Sequence, residues 1–365
     1  MSEWQTFCLK DLGKIVGGAT PSTNNPKNYG NKIAWITPKD LSTLQGRYIK
    51  KGSRSISRLG FKSCSCVLLP KHAILFSSRA PIGYVAIAKK RLCTNQGFKS
   101  IIPNKKIYFE FLYYLLKYHK DSISNIGGGT TFKEVSGATL GLFKVEIPPT
   151  YYEQQKIART LSILDQKIEN NHKINELLHN FAHKVYEYYF KYKPKNAKLE
   201  QIIIENPKSS IMVKNAQKTQ DKYPFFTSGD NTLSYPKAII DGRNCFLNTG
   251  GNAGIKFYVG KASYSTDTWC IGANEFSDYL YLLLSSIKTH INQSFFQGTS
   301  LKHLQKNLLK KYLIYMPSAH EIKKFNQIIM PLLTLISINT RTSKKLEQIR
   351  DFLLPLLLKQ QVKPQ

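Results

Sequence analysis

The sequence predicts an α/β (α+β) chain of two globular domains, each followed by a long helix. The two helices are expected to pair antiparallel as a coiled coil, and the halves to form an internal repeat with pseudo-twofold symmetry. Three observations predict this. First, "FSSRAPIGYVAI" at 76–87 lies over "LNTGGNAGIKFY" at 247–258 at an offset of 171, "GTTFK" meets "GTSLK" at 169, and Pro149 with Glu153 meets Pro317 with Glu321 at 168. An offset that only declines in small steps marks a duplicated unit with short deletions. Second, Thr150-Tyr151-Tyr152-Glu153 and Ser318-Ala319-His320-Glu321 both fit a capping box, each just after a proline. Third, short β-branched or aromatic runs bounded by Gly, Pro and Asn alternate with longer apolar stretches, as strands do with core helices.

The elements follow in order. "AILFSS", "GYVAIA", "NCFLN" and "IKFYVG" read as strands, and "YFEFLYYLLKYH" and "EFSDYLYLLLSSIKTHI" as core helices. Gly83 and Gly254 are expected to mark tight turns between strands. The predicted boundaries are 1–149 for the first domain, 150–193 for its helix, 194–317 for the second domain and 318–360 for its helix. Leu9 to Ile74 spans about nineteen residues more than Leu199 to Cys245, so the first domain carries an insertion that includes "GRYIKKGSRSISR".

A heptad reading of the first helix places Ile157, Leu164, Asn171 and Leu178 in one seam position and Leu161 and Ile168 in the other. In the second helix Leu332, Asn339, Leu346 and Leu353 form one series and Ile329 and Ile336 the other. Apolar residues at this period with a mid-seam asparagine describe helices that pack in fixed register. Asn171 and Asn339 occupy equivalent positions. Pro331 and Pro355 are expected to kink or end the second helix locally.

Lys and Arg number 53 against 23 Asp and Glu, a net charge of +30 with a pI near 9.8. That excess points to a polyanionic partner. The longest apolar run, "DFLLPLLL", is too short to span a bilayer, and no basic flank precedes an apolar stretch at the N-terminus, so a cytoplasmic protein without membrane contact is expected. The six cysteines form no C-x-x-C pair and read as buried free thiols rather than a metal site.

No phosphate-loop, H-E-x-x-H or clustered Cys/His pattern is present, and no catalytic residue is assigned. "EIPPTYY" approaches an amino-methyltransferase motif, but Ile147 and Thr150 replace its polar and aromatic members. Nucleic-acid contact is the better-supported chemistry. Arg47, Lys50, Lys51, Arg54 and Arg58 sit among serines and glycine and suit phosphate; the competing reading is a solvated basic loop. Gly129, Thr130, Thr131 and Lys133, and their repeats Gly298, Thr299, Ser300 and Lys302, suit a phosphate clamp at a helix N-terminus or, equally, a capping turn without ligand. Ser78 and Arg79, with Thr249 and Asn252 in the second copy, lie in the strand-turn segment, and Arg79 and Gln96 could read guanine and adenine.

"SSRAPIGYVAI", "TNQGFKSI", "GTTFKEVSG" and "IPPTYYEQQKIARTLSILDQKI" together resemble the DNA-specificity (S) subunits of type I restriction-modification systems, across essentially the whole chain; the second copy departs at "NTGGNAG" and in its helix prolines. The resemblance implies two target-recognition domains reading the halves of a bipartite, asymmetric site in double-stranded DNA. The paired helices, roughly 60 Å long for about 40 residues, would be the spacer. It also implies a non-catalytic chain with no cofactor of its own. Two methyltransferase (modification) subunits would dock around the helices and use S-adenosylmethionine, and restriction (endonuclease/translocase) subunits would use ATP and Mg. The rival expectations are the specificity subunit of a fused restriction/methylation system, an enzyme with a cryptic site, and a duplicated basic protein that binds DNA without reading sequence.

Overall fold

Each long helix begins where its capping box predicts. The Thr150 hydroxyl donates to the Glu153 carboxylate at 2.9 Å and accepts from its amide at 3.2 Å. Ser318 and Glu321 repeat the arrangement at 2.9 and 3.3 Å, satisfying amides that a helix start leaves without intrahelical partners. The helices run Tyr151–Phe190 and Ala319–Leu358, 40 residues each. The computed structural model describes residues 3–79, 81–129, 133–216 and 222–364.

The chain divides into two units, Met1–Asn170 with Ser343–Gln365, and Asn171–Thr342. In the first, a five-stranded sheet is ordered Gly13–Gly17, Lys99–Pro103, Ile74–Phe76, Val85–Ala88 and Tyr48–Ile49. A three-stranded sheet joins Arg54–Ile56, Tyr29–Ile36 and Cys93–Thr94, and Gln5–Cys8 pairs with Lys144–Ile147. The second unit repeats this plan: Ile204–Glu205, Thr268–Gly272, Arg243–Asn248 and Ile255–Val259 in one sheet, Leu233–Tyr235, Tyr223–Phe226 and Ser263–Tyr264 in another, and Ala197–Lys198 with Leu313–Ile314. In both three-stranded sheets the third strand pairs parallel with the second. The odd member is Tyr48–Ile49, which adds a parallel edge beside Ile87–Ala88 in the first unit. It comes from the insertion.

Apolar helices seal both sheets. Phe109–Asn125 buries Phe111, Leu112, Tyr114, Leu115 and Leu116 in the first core. In the second, the expected single helix is two, Ser277–Ser286 and Lys288–Ser294, separated at Ile287. Gly83 makes its turn with φ +102°, as the sequence suggests. Gly254 is required for a different reason: a Cβ there would lie 2.3 Å from the Asn248 side chain.

The long helices pack antiparallel within each unit. In the first, Arg350 donates to Asp165 at 2.7 Å. In the second, the Asn339 side-chain amide donates to the Asn175 Oδ1 at 2.9 Å, and Phe190 stacks edge-on with Phe325 at 4.9 Å. The sequence aligns Asn171 with Asn339, but the antiparallel pairing sets Asn339 against Asn175. Ile157, Leu161, Ile168, Asn171, Ile329 and Ile336 are buried; Leu164, Leu178, Leu332, Asn339, Leu346 and Leu353 are half-buried. Full burial extends to Ala158, Asp165, Ala182, Leu333 and Leu354, because each helix covers a globular core as well as its partner helix and needs a broader stripe than a two-helix seam.

The second helix runs unbroken through Pro331 and Pro355. Each proline removes one N–H bond, and the flanking turns stay anchored by buried Ile329 and Leu333 in one unit and Leu354 and Leu357 in the other. Among the described residues, no helix is long and apolar enough to cross a membrane, and all six thiols are free.

Candidate nucleic-acid interface

Loops that follow the ends of strands from both sheets gather together in each unit and are joined by the same bonds. In the first unit the Val135 amide donates to the Ser78 carbonyl at 3.0 Å; in the second, the Leu304 amide donates to the Thr249 carbonyl at 3.0 Å. A further loop follows on each side: Ser78 N–H donates to Gly97 at 2.8 Å, and Thr249 N–H to Asp267 at 3.2 Å. Asn95 N–H donates to Ile36, and Ser265 N–H to Phe226, each at 2.9 Å. Each cluster therefore holds a strand-end loop, a strand-turn loop, the "TNQGF" or "STDTW" loop and the glycine-threonine loop.

The exposed groups of the first cluster are mostly cationic. Lys50, Lys51, Arg54 and Arg58 are exposed. Lys50 and Lys51 lie on a loop held by Asp40, which accepts from the Ser53 amide and the Thr37 amide, both at 2.7 Å, while Arg54 begins the next strand and Arg58 opens the helix Arg58–Lys62. Burial works to raise the Asp40 pKa, but the bonds from Ser53 and Thr37 outweigh it and hold the carboxyl below its ordinary value. A Cβ at Gly52 would lie 2.7 Å from the Asp40 carboxylate, so a side chain there would displace the group that holds the loop. The Arg54 guanidinium lies 5.2 Å over the Tyr29 ring. Gln96 is exposed and accepts from the Thr20 hydroxyl. Arg79, about a third exposed, faces Glu134 at 3.6 Å, and Lys99 holds the same carboxylate at 3.2 Å. Lys133 and Gly129 are exposed. Thr130 and Thr131 lie outside the described residues.

In the second cluster Asn252, Gly298, Thr299, Ser300 and Lys302 are exposed. Gly298 has φ +142°, and a Cβ there would sit 2.4 Å from the Leu301 carbonyl oxygen, so the loop turns where only glycine fits. The Lys302 carbonyl accepts from Gly251 at 2.9 Å, fixing the loop while leaving the ammonium outside.

Four expectations need correction. Arg47 does not face solvent: it is 3% exposed, donates to Glu110 at 3.0 Å and Glu169 at 3.2 Å, and lies 3.9 Å from Asp165. Burial opposes its charge, but Tyr114, Glu169 and Glu110 prevail and raise its pKa. Its charge is neutralised inside the first unit and is unavailable to phosphate. Ser78 is fully buried, with its backbone spent on neighbouring loops. Thr249 is half-buried, and its hydroxyl donates to the Asp267 carbonyl at 2.8 Å rather than being free. Finally, neither glycine-threonine loop opens a helix directly. Glu134 and His303 first bridge to the adjacent loops, so the next helices start only at Gly137 and Lys306.

The strand-end loops escaped the sequence reading. "TPKD" at 37–40 and "TSGD" at 227–230 end corresponding strands, but their offset is 190. They precede the nineteen-residue insertion, so they fall outside the series of offsets that reveals the rest of the repeat. Subtracting the insertion would have found them.

Comparison with known proteins places this architecture. The family model for the type I restriction modification DNA specificity domain matches residues 1–180 and 195–348. The MjaIX type I restriction enzyme specificity subunit of Methanocaldococcus jannaschii is 34% identical over 410 aligned residues, covering 98% of this chain and 93% of that protein. The HindI specificity subunit of Haemophilus influenzae is 30% identical over 177 residues, 46% of this chain. The crystal structure of a type I restriction-modification S subunit from M. genitalium shares the fold at a TM-score of 0.65, with 17% identity over 97% of this chain and 96% of that one.

Proposed function

This chain belongs to the type I restriction-modification DNA specificity family, and we propose that it directs a restriction-modification complex to a bipartite, asymmetric site in double-stranded DNA. The observation that carries this reading is the pair of corresponding loop clusters, one per unit, on a chain of net charge +30. Two similar but unequal readers suit two different half-sites.

In this reading Lys50, Lys51, Arg54, Arg58, Lys133 and Lys302 neutralise phosphates. Arg79, Gln96 and Asn252 lie near base edges, and the backbone of the two glycine loops approaches the duplex closely. The long helices act as the spacer that sets the gap between half-sites. Their exposed apolar residues supply docking surface for methyltransferase subunits: Ile174, Leu177 and Phe181 in one unit, Ile349 and Phe352 in the other. The chain itself is non-catalytic. S-adenosylmethionine, ATP and Mg belong to the modification and restriction subunits, which place the assembly with cytoplasmic DNA.

The test is a map of methylated bases in cells with and without this gene, alongside its methyltransferase partner. Loss of methyladenine from one bipartite motif of fixed gap is expected; an unchanged map overturns the reading. With the purified complex, Lys133→Ala should weaken binding to every duplex alike and reduce the salt slope by about 1.

A further inference from the structure

The repeated Thr-x-x-Asp loop is used differently in the two units. In the first, Asp40 folds inward and is consumed by Thr37 and Ser53. In the second, the Thr227 hydroxyl accepts from the Gly229 amide at 3.0 Å, so the aspartate is not needed for that turn. The loop is instead held from beneath by Lys256, on strand Ile255–Val259, whose ammonium donates to the Thr227 carbonyl at 2.6 Å and to the Gly229 carbonyl. Ser228 completes the anchorage: its hydroxyl donates to the Asp267 carbonyl and accepts from the Thr249 amide at 3.2 Å. The base of the loop is thus fixed to both neighbouring loops of the cluster. Its tip, Asp230, Asn231 and Thr232, is exposed.

A lysine turned wholly to backbone carbonyls is spent on shape. Burial lowers its pKa, and the nearby Asp230 charge opposes that shift. The exposed carboxylate is the telling feature. On the DNA-facing loops of a chain with net charge +30, an aspartate is repelled by phosphate, so phosphate affinity does not account for it. Carboxylates on DNA-reading surfaces accept from the cytosine N4 amine, and asparagine pairs with both N6 and N7 of adenine.

We propose that the tip of loop 228–232 reads bases in the half-site of the second unit, Asp230 accepting from a cytosine amine and Asn231 pairing with adenine, with Lys256 as the positioning residue. The proposal rests on the specificity reading above. In the first unit the corresponding carboxylate is used internally, so that unit reads its half-site by other groups.

The experiment compares methylated-base maps from cells expressing the full chain with its methyltransferase partner, as wild type and as Asp230→Asn, Asn231→Ala, Lys256→Met and, as a surface control, Lys261→Met. Asp230→Asn and Asn231→Ala should each relax one base position in the same half-site by roughly 5- to 150-fold. The other half-site and the Lys261→Met map should stay as in the wild type. Lys256→Met should relax those same positions while total methylation persists, an effect that a loss of folded protein does not produce. If Lys256→Met abolishes methylation altogether, the two tip variants decide the matter. Unaltered half-sites with both tip variants at normal methylation overturn the proposal. A wild-type map without any bipartite motif overturns the specificity reading itself and is thereby distinguished.

Discussion

Both units bury a carboxylate at the second residue of a core helix, Glu110 in one and Asp278 in the other, and both neutralise it with an arginine. The arginines are not equivalent. Arg47 arrives from the insertion and gathers Glu110 and Glu169 with Asp165 close by, while Arg350 bonds Asp165 from the second long helix. Arg243 comes from an inner strand, meets Asp278 alone among the carboxylates of the described residues, and is completed by the Thr334 hydroxyl at 2.9 Å and the Met330 carbonyl at 3.2 Å. Burial raises the Asp278 pKa and Arg243 opposes it. The requirement to neutralise a buried carboxylate has outlasted the means of meeting it: one copy solved it with inserted sequence, the other with a strand residue. The helix pair follows the same division, with an ion pair where it covers the first unit and asparagines and aromatics where it covers the second.

The largest expected break in this comparison is Arg47→Met. It strips the cation from buried Glu110 and half-buried Glu169 and should destabilise the first unit by about 3–5 kcal/mol. Trp4 and Trp35 report that unit and Trp269 the other, so chemical unfolding followed by single-tryptophan fluorescence should show only the first transition moving. Phe325→Ala, in the aromatic cluster with Tyr189 and Phe190, should cost the second unit about 3–5 kcal/mol. The equivalent Ile157→Ala should cost the first about 2–4 kcal/mol, and a larger loss at Ile157 would mean that the aromatic cluster adds nothing to the second helix pair. Arg243→Met should cost about 2–3 kcal/mol, less than Arg47→Met because one carboxylate rather than two is orphaned; equal losses would dissolve the distinction. Smallest are the two caps: Thr150→Ala and Ser318→Ala should each cost about 1 kcal/mol in thermal unfolding.

The second cap also carries a pH signature. The Ser318 amide, with Tyr315, Ser318 and Lys193, outweighs slight burial and lowers the Glu321 pKa to about 2. A depressed carboxyl stabilises the folded state fully above its ordinary value. That contribution fades as the pH falls from there towards about 2. Ser318→Ala should therefore flatten the acid limb of the stability curve of the second unit.

Much of this was legible in the sequence because it is local or repeated. The caps lie within four residues, the strands alternate with core helices, and the declining offset exposes the duplication. Arg47 was misread because its partners lie 63 and 122 residues away, and nothing local separates a buried cation from a solvated one beside Lys50 and Lys51. Ser78 was misread for a similar reason: a small polar residue near a turn looks accessible until two other loops close on its backbone. The prolines were overestimated because a helix packed on both a partner and a core survives the loss of single bonds. The strand-end loops were hidden by arithmetic, their offset displaced by the insertion.

The division of the chain into units has a consequence for its synthesis. The second unit, Asn171–Thr342, is one uninterrupted stretch, whereas the first also needs Ser343–Gln365, whose Leu354, Leu357 and Leu358 complete its core. On the ribosome the later-encoded unit has all its residues first, while the earlier-encoded one waits with an open apolar face until residues 343–365 are made. Residues 343–365, rather than the N-terminal stretch, determine when the first unit is finished.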